Sequence, residues 1–241
     1  MKYIKSFLIY ICLLFPLTGI AQKKQLQTVR DQIKSGKELT KAENTLRGLL
    51  VDSVSKKNNK IWLLLCDALT KQYEQGNEKL YLKQKYDTAA FFSVTRRLYD
   101  TMSRFDSLDA KPDAEGRVRA KYRTKHAEFL NSIRPNLFNG GSYFIHKKDY
   151  NTAFDYYSDY LESANYPLFE GYDYMKNDAL IPHAAYWAMF CGYKLSDADK
   201  IMRFKEQAER DTSMLNFVRQ YEAEAYLLKR DTAMYVKSLQ A

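Results

Sequence analysis

Apolar residues recur along this chain at intervals of three and four. Ala42, Leu46, Leu49 and Leu50 form one stripe, and Trp62, Leu65, Cys66, Leu69 and Tyr73 form a second at i, i+3, i+4, i+7 and i+11. Both segments are therefore expected as amphipathic helices, with the stripe buried and the other face in water. A third helix is predicted from about Tyr86 to Met102, and a fourth carries Tyr122, His126, Phe129, Leu130, Ile133 and Leu137 on one side. Pro135 has no N–H and clashes with the preceding turn, so the fourth helix should stop or kink at Arg134 and a new one should open beyond it. The clearest stripe is Tyr150, Ala153, Phe154, Tyr157, Leu161 and Ala164, opposite Asp155, Ser158, Asp159 and Glu162. Residues Ala184 to Tyr193 are apolar nearly all round, which suits a helix with neighbours on several sides. Phe217, Val218, Tyr221, Ala225 and Leu228 make a last stripe, whose partner helix is expected to be cut short at Ala241.

The turns between these helices repeat. Lys148-Asp149-Tyr150, Ser196-Asp197-Ala198 and Arg230-Asp231-Thr232 have the same form; Asp197 and Asp231 are 34 residues apart and Asp149 and Asp197 are 48 apart. A chain of irregular helical hairpins is implied. Composition agrees: 9 Gly and 5 Pro in 241 residues are too few for an all-β protein with many tight turns, and strand-like alternation is absent.

The amino terminus has its own pattern. Lys2 and Lys5 precede an apolar run from Phe7 to Ile20, then Ala21 and the polar Gln22. That order matches a secretory leader. A membrane-spanning helix needs about 20 apolar residues, whereas this run is shorter, contains Pro16, and has small Gly19 and Ala21 where a signal peptidase cuts. Cleavage near Ala21 and a periplasmic or otherwise exported mature chain are expected, in preference to an uncleaved anchor. Cys12 lacks the preceding small residues of a lipid-attachment site. Removing Lys2 and Lys5 takes the formal charge from +9 to +7. Charges of both signs are interspersed, so the surface leans basic without the one-sided cluster that nucleic-acid binding uses. An acidic protein partner or an anionic envelope surface fits that balance better. Cys66 and Cys191 both lie within apolar helical runs, where buried thiols are expected rather than a disulfide.

From Leu137 to Tyr160 the chain resembles a tetratricopeptide repeat. Leu137 takes that family's large position and Gly141 its glycine, where two helices approach too closely for a side chain; Phe144 takes the aromatic position, Ala153 the first alanine and Tyr157 the bulky knob. The departures are Gly140 in place of a leucine, Tyr160 in place of a small residue, and Pro167 about two residues late. Ile201 and Ala208, then Tyr226 and Tyr235, match less fully, and Ala42, Leu46, Leu49, Tyr86 and Ala89 read as second helices of earlier units. The leader ending in Ala-Gln and the Tyr- and Lys-rich make-up also resemble exported helical-repeat proteins of Bacteroidetes. The resemblance implies an all-α, right-handed superhelical solenoid of about five degenerate hairpins. It would comprise a leader over 1–21, amino-terminal hairpins over 22–115 and repeats over 116–241 continuous with them.

No pattern for catalysis or for a cofactor emerges. His126, His146 and His183 are far apart in sequence; His126 sits on an apolar stripe as a core histidine would, and His146 adjoins Lys147 and Lys148 at a helix end, where cations suit the dipole. His183 and Cys191 are two turns apart, about 12 Å, too far to share a metal. Asn139-Gly140-Gly141-Ser142 lacks the Lys-Ser/Thr ending of a phosphate loop. Asp155 and Asp159 lie on a polar face.

A non-enzymatic protein-interaction module, binding a partner on a concave face, is therefore the expected function. Glycan binding through exposed tyrosines is the alternative, since the chain has 20 Tyr and 13 Phe. Candidate contacts are Asn139 and Tyr143 on the first helix of the aligned repeat, and Tyr166, Phe169, Tyr172 and Tyr174 in the long loop Asn165–Leu180. Long aromatic loops are disproportionately functional, although these rings would equally serve to cover hairpin ends. Some members of the resembled family clamp a carboxylate tail with Lys and Asn; only Asn139 and Ser142 stand near those positions, without a matching Lys, so that role is not carried over.

Overall fold

A computed structural model describes residues 21–239 of the chain. The expected leader lies outside the described residues, apart from Ala21. Among the described residues every regular element is helical and none is a strand, and no helix is long and apolar enough to cross a membrane. The elements are α1 (21–35), α2 (Leu39–Leu49), α3 (Asn59–Tyr81), α4 (Thr88–Asp109), α5 (Arg123–Ile133), α6 (Pro135–His146), α7 (Tyr150–Ser163), α8 (Tyr174–Asn177), α9 (Ile181–Lys194), α10 (Ala198–Met202), α11 (Lys205–Ala208), α12 (Leu215–Leu228) and α13 (Thr232–Ser238). Contacts divide the chain into two units, one of residues up to 87 with 100–120, the other of 88–99 with 121 onward.

In the first unit α2 packs on α3; Ala42 and Leu46 of the first stripe are buried, as are Trp62, Leu65, Cys66, Leu69 and Tyr73 of the second. Asn58 caps α3 by accepting the Lys60 N–H. Gly76 of α3 leaves room for the Tyr86 ring, which a Cβ there would meet at 2.9 Å.

The second unit is built from repeated hairpins. The pairs α6/α7, α9/α10 and α12/α13 each close through one turn design. Lys148, Ser196 and Arg230 adopt left-handed φ values of 60, 52 and 57°. The N–H of the next residue then reaches back five positions, from Asp149 to Phe144 O, from Asp197 to Gly192 O and from Asp231 to Tyr226 O. This satisfies a carbonyl left open at the end of the first helix. The same three aspartates cap the second helix, their carboxylates accepting N–H bonds from Thr152, from Asp199 and Lys200, and from Met234. One dipeptide therefore both stops a helix and starts the next.

Packing inside the pairs follows small residues. A Cβ on Gly140 or Gly141 would stand 2.6 Å from the rings of Tyr156 and Tyr157, and one on Gly192 would stand 2.6 Å from the backbone N of Ile201. Gly141 thus occupies the close helix approach expected of it, and Gly140, a departure from the family pattern, does the same. The apolar helix α9 packs against α7, α10, α11 and α12, as its all-round composition requires.

Three expectations need correction. Ile201 and Ala208, matched to one repeat helix, fall on two separate helices, α10 and α11, because the chain turns at Arg203 and Phe204 to bring the Phe204 ring against Phe154. The loop expected over 165–180 contains a 3-10 helix, Pro167–Tyr172, and the short α8. In the last stripe Val218, Tyr221 and Ala225 are buried, but Phe217 and Leu228 are exposed, although the Phe217 ring still meets Tyr186 of α9.

Candidate functional site

The feature that organises the second unit's surface begins with Pro135. Having no N–H to continue α5, it opens α6 as its first residue and leaves Arg134 at the joint. The Arg134 side chain turns inward and is only 4% exposed. A buried guanidinium must satisfy its donors and find a counter-charge. Its Nη1 donates to Asp178 Oδ2 at 3.1 Å and its Nη2 to the Tyr160 carbonyl at 2.9 Å. Its plane lies over the rings of Tyr160 and Tyr174, at 3.7 and 4.1 Å from their centroids, in the cation–π arrangement favoured by arginine.

The segment between α7 and α9 supplies the other wall. Asp173, at a left-handed φ of 46°, turns the chain from the 3-10 helix into α8 and sets Tyr172 and Tyr174 face to face at 5.3 Å. The Tyr174 hydroxyl donates to Asn131 Oδ1 at 2.5 Å, and the Tyr160 hydroxyl donates to Asp178 Oδ2 at 2.6 Å. Asp178 Oδ1 accepts the Leu180 N–H at 2.9 Å. Burial pushes the Tyr160 phenol up and the Tyr174 phenol up to about 12, against the opposing pull of Arg134, so both stay protonated donors.

Between these groups lies a cleft of about 360 Å³, walled by Tyr160, Tyr172 and Tyr174 together with Pro135 and Leu180. The charges at its floor are closed on each other: Asp178 receives Arg134, the Tyr160 hydroxyl and a backbone N–H. The Arg134 Nε is buried without a hydrogen-bond partner, and the other open groups are neutral. Asn131, Asn177 and Tyr172 line the cleft, and the Asn131 amide nitrogen, Asn177 Oδ1 and the Tyr172 hydroxyl make no hydrogen bond to the protein; Asn131 accepts through its oxygen, and Asn177 donates through its nitrogen to the Tyr172 carbonyl.

Of the residues singled out from sequence, Tyr172 and Tyr174 line this cleft. Phe169 is fully buried beneath them, against Tyr172, Tyr174 and Tyr99. Tyr166 is half-buried just before the 3-10 helix. Asn139 is exposed on α6, and Tyr143 packs on Phe92, Phe144 and Lys147, about two helical turns, some 12 Å, along α6 from Pro135. Neither lines the cleft. Sequence reasoning missed Arg134, Asp178, Asn131 and Asn177; the only signal was the helix break at Pro135, which marked the joint without showing that its arginine turns inward.

Elsewhere, His126 is buried and stacks on Tyr122, His146 Nδ1 lies 2.7 Å from the Ser142 carbonyl, and His183 stands 3.5 Å from Asp211. Among the described residues no three His, Cys, Asp or Glu side chains converge as metal ligands. Cys66 and Cys191 are buried free thiols, pushed up by burial, Cys191 to about 12. Comparison with protein-family models, with curated proteins and with solved structures finds no match for this chain.

Proposed function

We propose that this chain is an exported, non-enzymatic interaction module, a tetratricopeptide-like solenoid that holds a protein partner on its stacked hairpins. The observation that carries the reading is the turn repeated at Lys148-Asp149, Ser196-Asp197 and Arg230-Asp231. Three helix pairs built by one device form a serial scaffold, and such scaffolds present extended faces for binding. The ionisable groups of the cleft support a binding role, since Arg134, Asp178 and Tyr160 are spent on one another and none is left as a free base or nucleophile. At the cleft the glycan alternative is less well supported. A sugar stacks on an open ring face, whereas the faces of Tyr160 and Tyr174 lie against Arg134, and Tyr172 and Tyr174 lie against each other.

The test is to express the full chain with its leader in a bacterial host, cross-link in the intact envelope, and identify both the protein's amino terminus and what it captures. An amino terminus at Gln22 and a discrete protein partner are expected. An amino terminus at Met1 would overturn export, and capture of polysaccharide alone would overturn the protein-binding reading. Partner yield that falls in high salt would point to an acidic contact, because exposed charges are screened there.

A further inference from the structure

We propose that the cleft at the α5–α6 joint is a peptide pocket that takes an uncharged segment of the partner, centred on a proline or an aromatic residue. The proposal rests on the interaction-module reading and specifies its ligand. Three properties of the cleft select that chemistry.

The first is charge. Arg134 and Asp178 neutralise each other at 3.1 Å, so the floor offers no net attraction to an acidic or a basic side chain. A charged group entering would lose its water without gaining a counter-charge. The second is the walls. Tyr160, Tyr172 and Tyr174, with Pro135 and Leu180, present apolar ring and aliphatic surface, and the volume of about 360 Å³ lies at the small end of ligand pockets, suited to one large side chain and its flanking backbone. A rigid proline or aromatic side chain fills such a space with little rotamer entropy to lose. The third is the rim. The Asn131 amide nitrogen is an open donor and Asn177 Oδ1 an open acceptor, and a peptide backbone offers one carbonyl and one N–H per residue to match them. Tyr172 and Tyr174 are stacked on each other, and Arg134 lies over Tyr160 and Tyr174, which serves a packed side chain better than a sugar plane.

The experiment titrates the full exported chain, by ligand-observed magnetic resonance, with blocked Ser/Gly hexapeptides carrying Pro-Tyr at the centre, and with the same peptides carrying Ala-Ala, Glu-Glu or Lys-Lys. Saturable binding of the Pro-Tyr peptide alone, unchanged by added salt, is expected. Asn131→Asp keeps the oxygen that accepts the Tyr174 hydroxyl but removes the open donor and adds a charge, so binding should weaken about tenfold while the thermal melt stays in place. Leu180→Ser, at an exposed rim position, should weaken binding without touching the Arg134 floor. Equal binding of all four peptides, preference for Glu-Glu with salt dependence, binding of maltohexaose in place of peptide, or no peptide binding would each overturn the proposal. If the cross-linked partner is captured equally by the wild type and Asn131→Asp, the pocket assignment fails and the module reading stands. If no protein is captured by either, the module reading itself fails.

Discussion

Lys148, Ser196 and Arg230 each hold a left-handed backbone that a side chain with a Cβ adopts at a cost of about 1–2 kcal/mol, and each is kept there by the back-reaching N–H of the aspartate that follows. Glycine has no such cost, although it also loses more freedom on folding. Lys148→Gly is therefore expected to stabilise the chain by about 0.5–1 kcal/mol in urea unfolding. Asp149→Ala, which removes the carboxylate that accepts the Thr152 N–H at 3.0 Å, is expected to destabilise it by about 1 kcal/mol. Opposite signs at adjacent positions would confirm that the turn, rather than general surface polarity, is what the dipeptide supplies; two losses would show that Lys148 makes a contact worth more than its strain. The turn itself could be read in advance because its determinants are adjacent in sequence. The close approach at Gly141 was readable for a similar reason, resting on a local family pattern. The equally close approach of Gly140 to Tyr156 was not, since it appears only once the two helices are paired.

The helices are fixed by patterns that any short window contains: α2, α3, α5, α7 and α12 stand close to where their stripes put them, α6 opens at Pro135, and α9 covers the run that is apolar nearly all round. Segments whose shape depends on distant partners were hidden. Arg134 gives no periodic signal, and its counter-charge Asp178 is 44 residues away; the sequence places an arginine beside a proline and an aspartate in a loop, and nothing local joins them. The same holds for the break between α10 and α11, which follows from the Phe204 ring meeting Phe154. The pair Arg134–Asp178 pins the 165–180 segment onto the α5–α6 joint, and because both groups are well buried, removing one strands the other. Arg134→Met is expected to cost about 3–5 kcal/mol. In Arg134→Met with Asp178→Asn, the new amide oxygen still accepts the Tyr160 hydroxyl and no charge is left buried, so the double variant should recover a large part of that loss. Scanning calorimetry of the two singles and the double checks this. Additive losses would mean that the segment is held by the ring contacts of Phe169, Tyr172 and Tyr174 alone.

Across the second unit, burial is uneven, and stability should follow it. Helix α7 has neighbours in α6 and α9 and buries Ala153, Phe154, Tyr156, Tyr157, Tyr160 and Leu161; α9 buries Ile181, Ala184, Ala185, Ala188, Met189 and Cys191. Helix α13 buries none of its residues; Val236 is exposed, and Leu227 and Leu239 are exposed around a groove it shares with α12. Amide exchange in α7 and α9 then requires opening the core, which in folded domains costs at least about 5 kcal/mol, whereas α13 can open by fraying alone. Hydrogen exchange should therefore be about a thousandfold or more faster in α13 than in α9, at low protein concentration. Equal protection of the two helices would show that the turn at Arg230-Asp231 couples α13 to the core far more strongly than its burial implies. Protection of α13 that rises with protein concentration would show a second copy covering the Leu227–Leu239 face. Protection that appears only when the cross-linked partner is present would place that partner on the last hairpin, leaving the cleft at Arg134 to a second segment of the same chain.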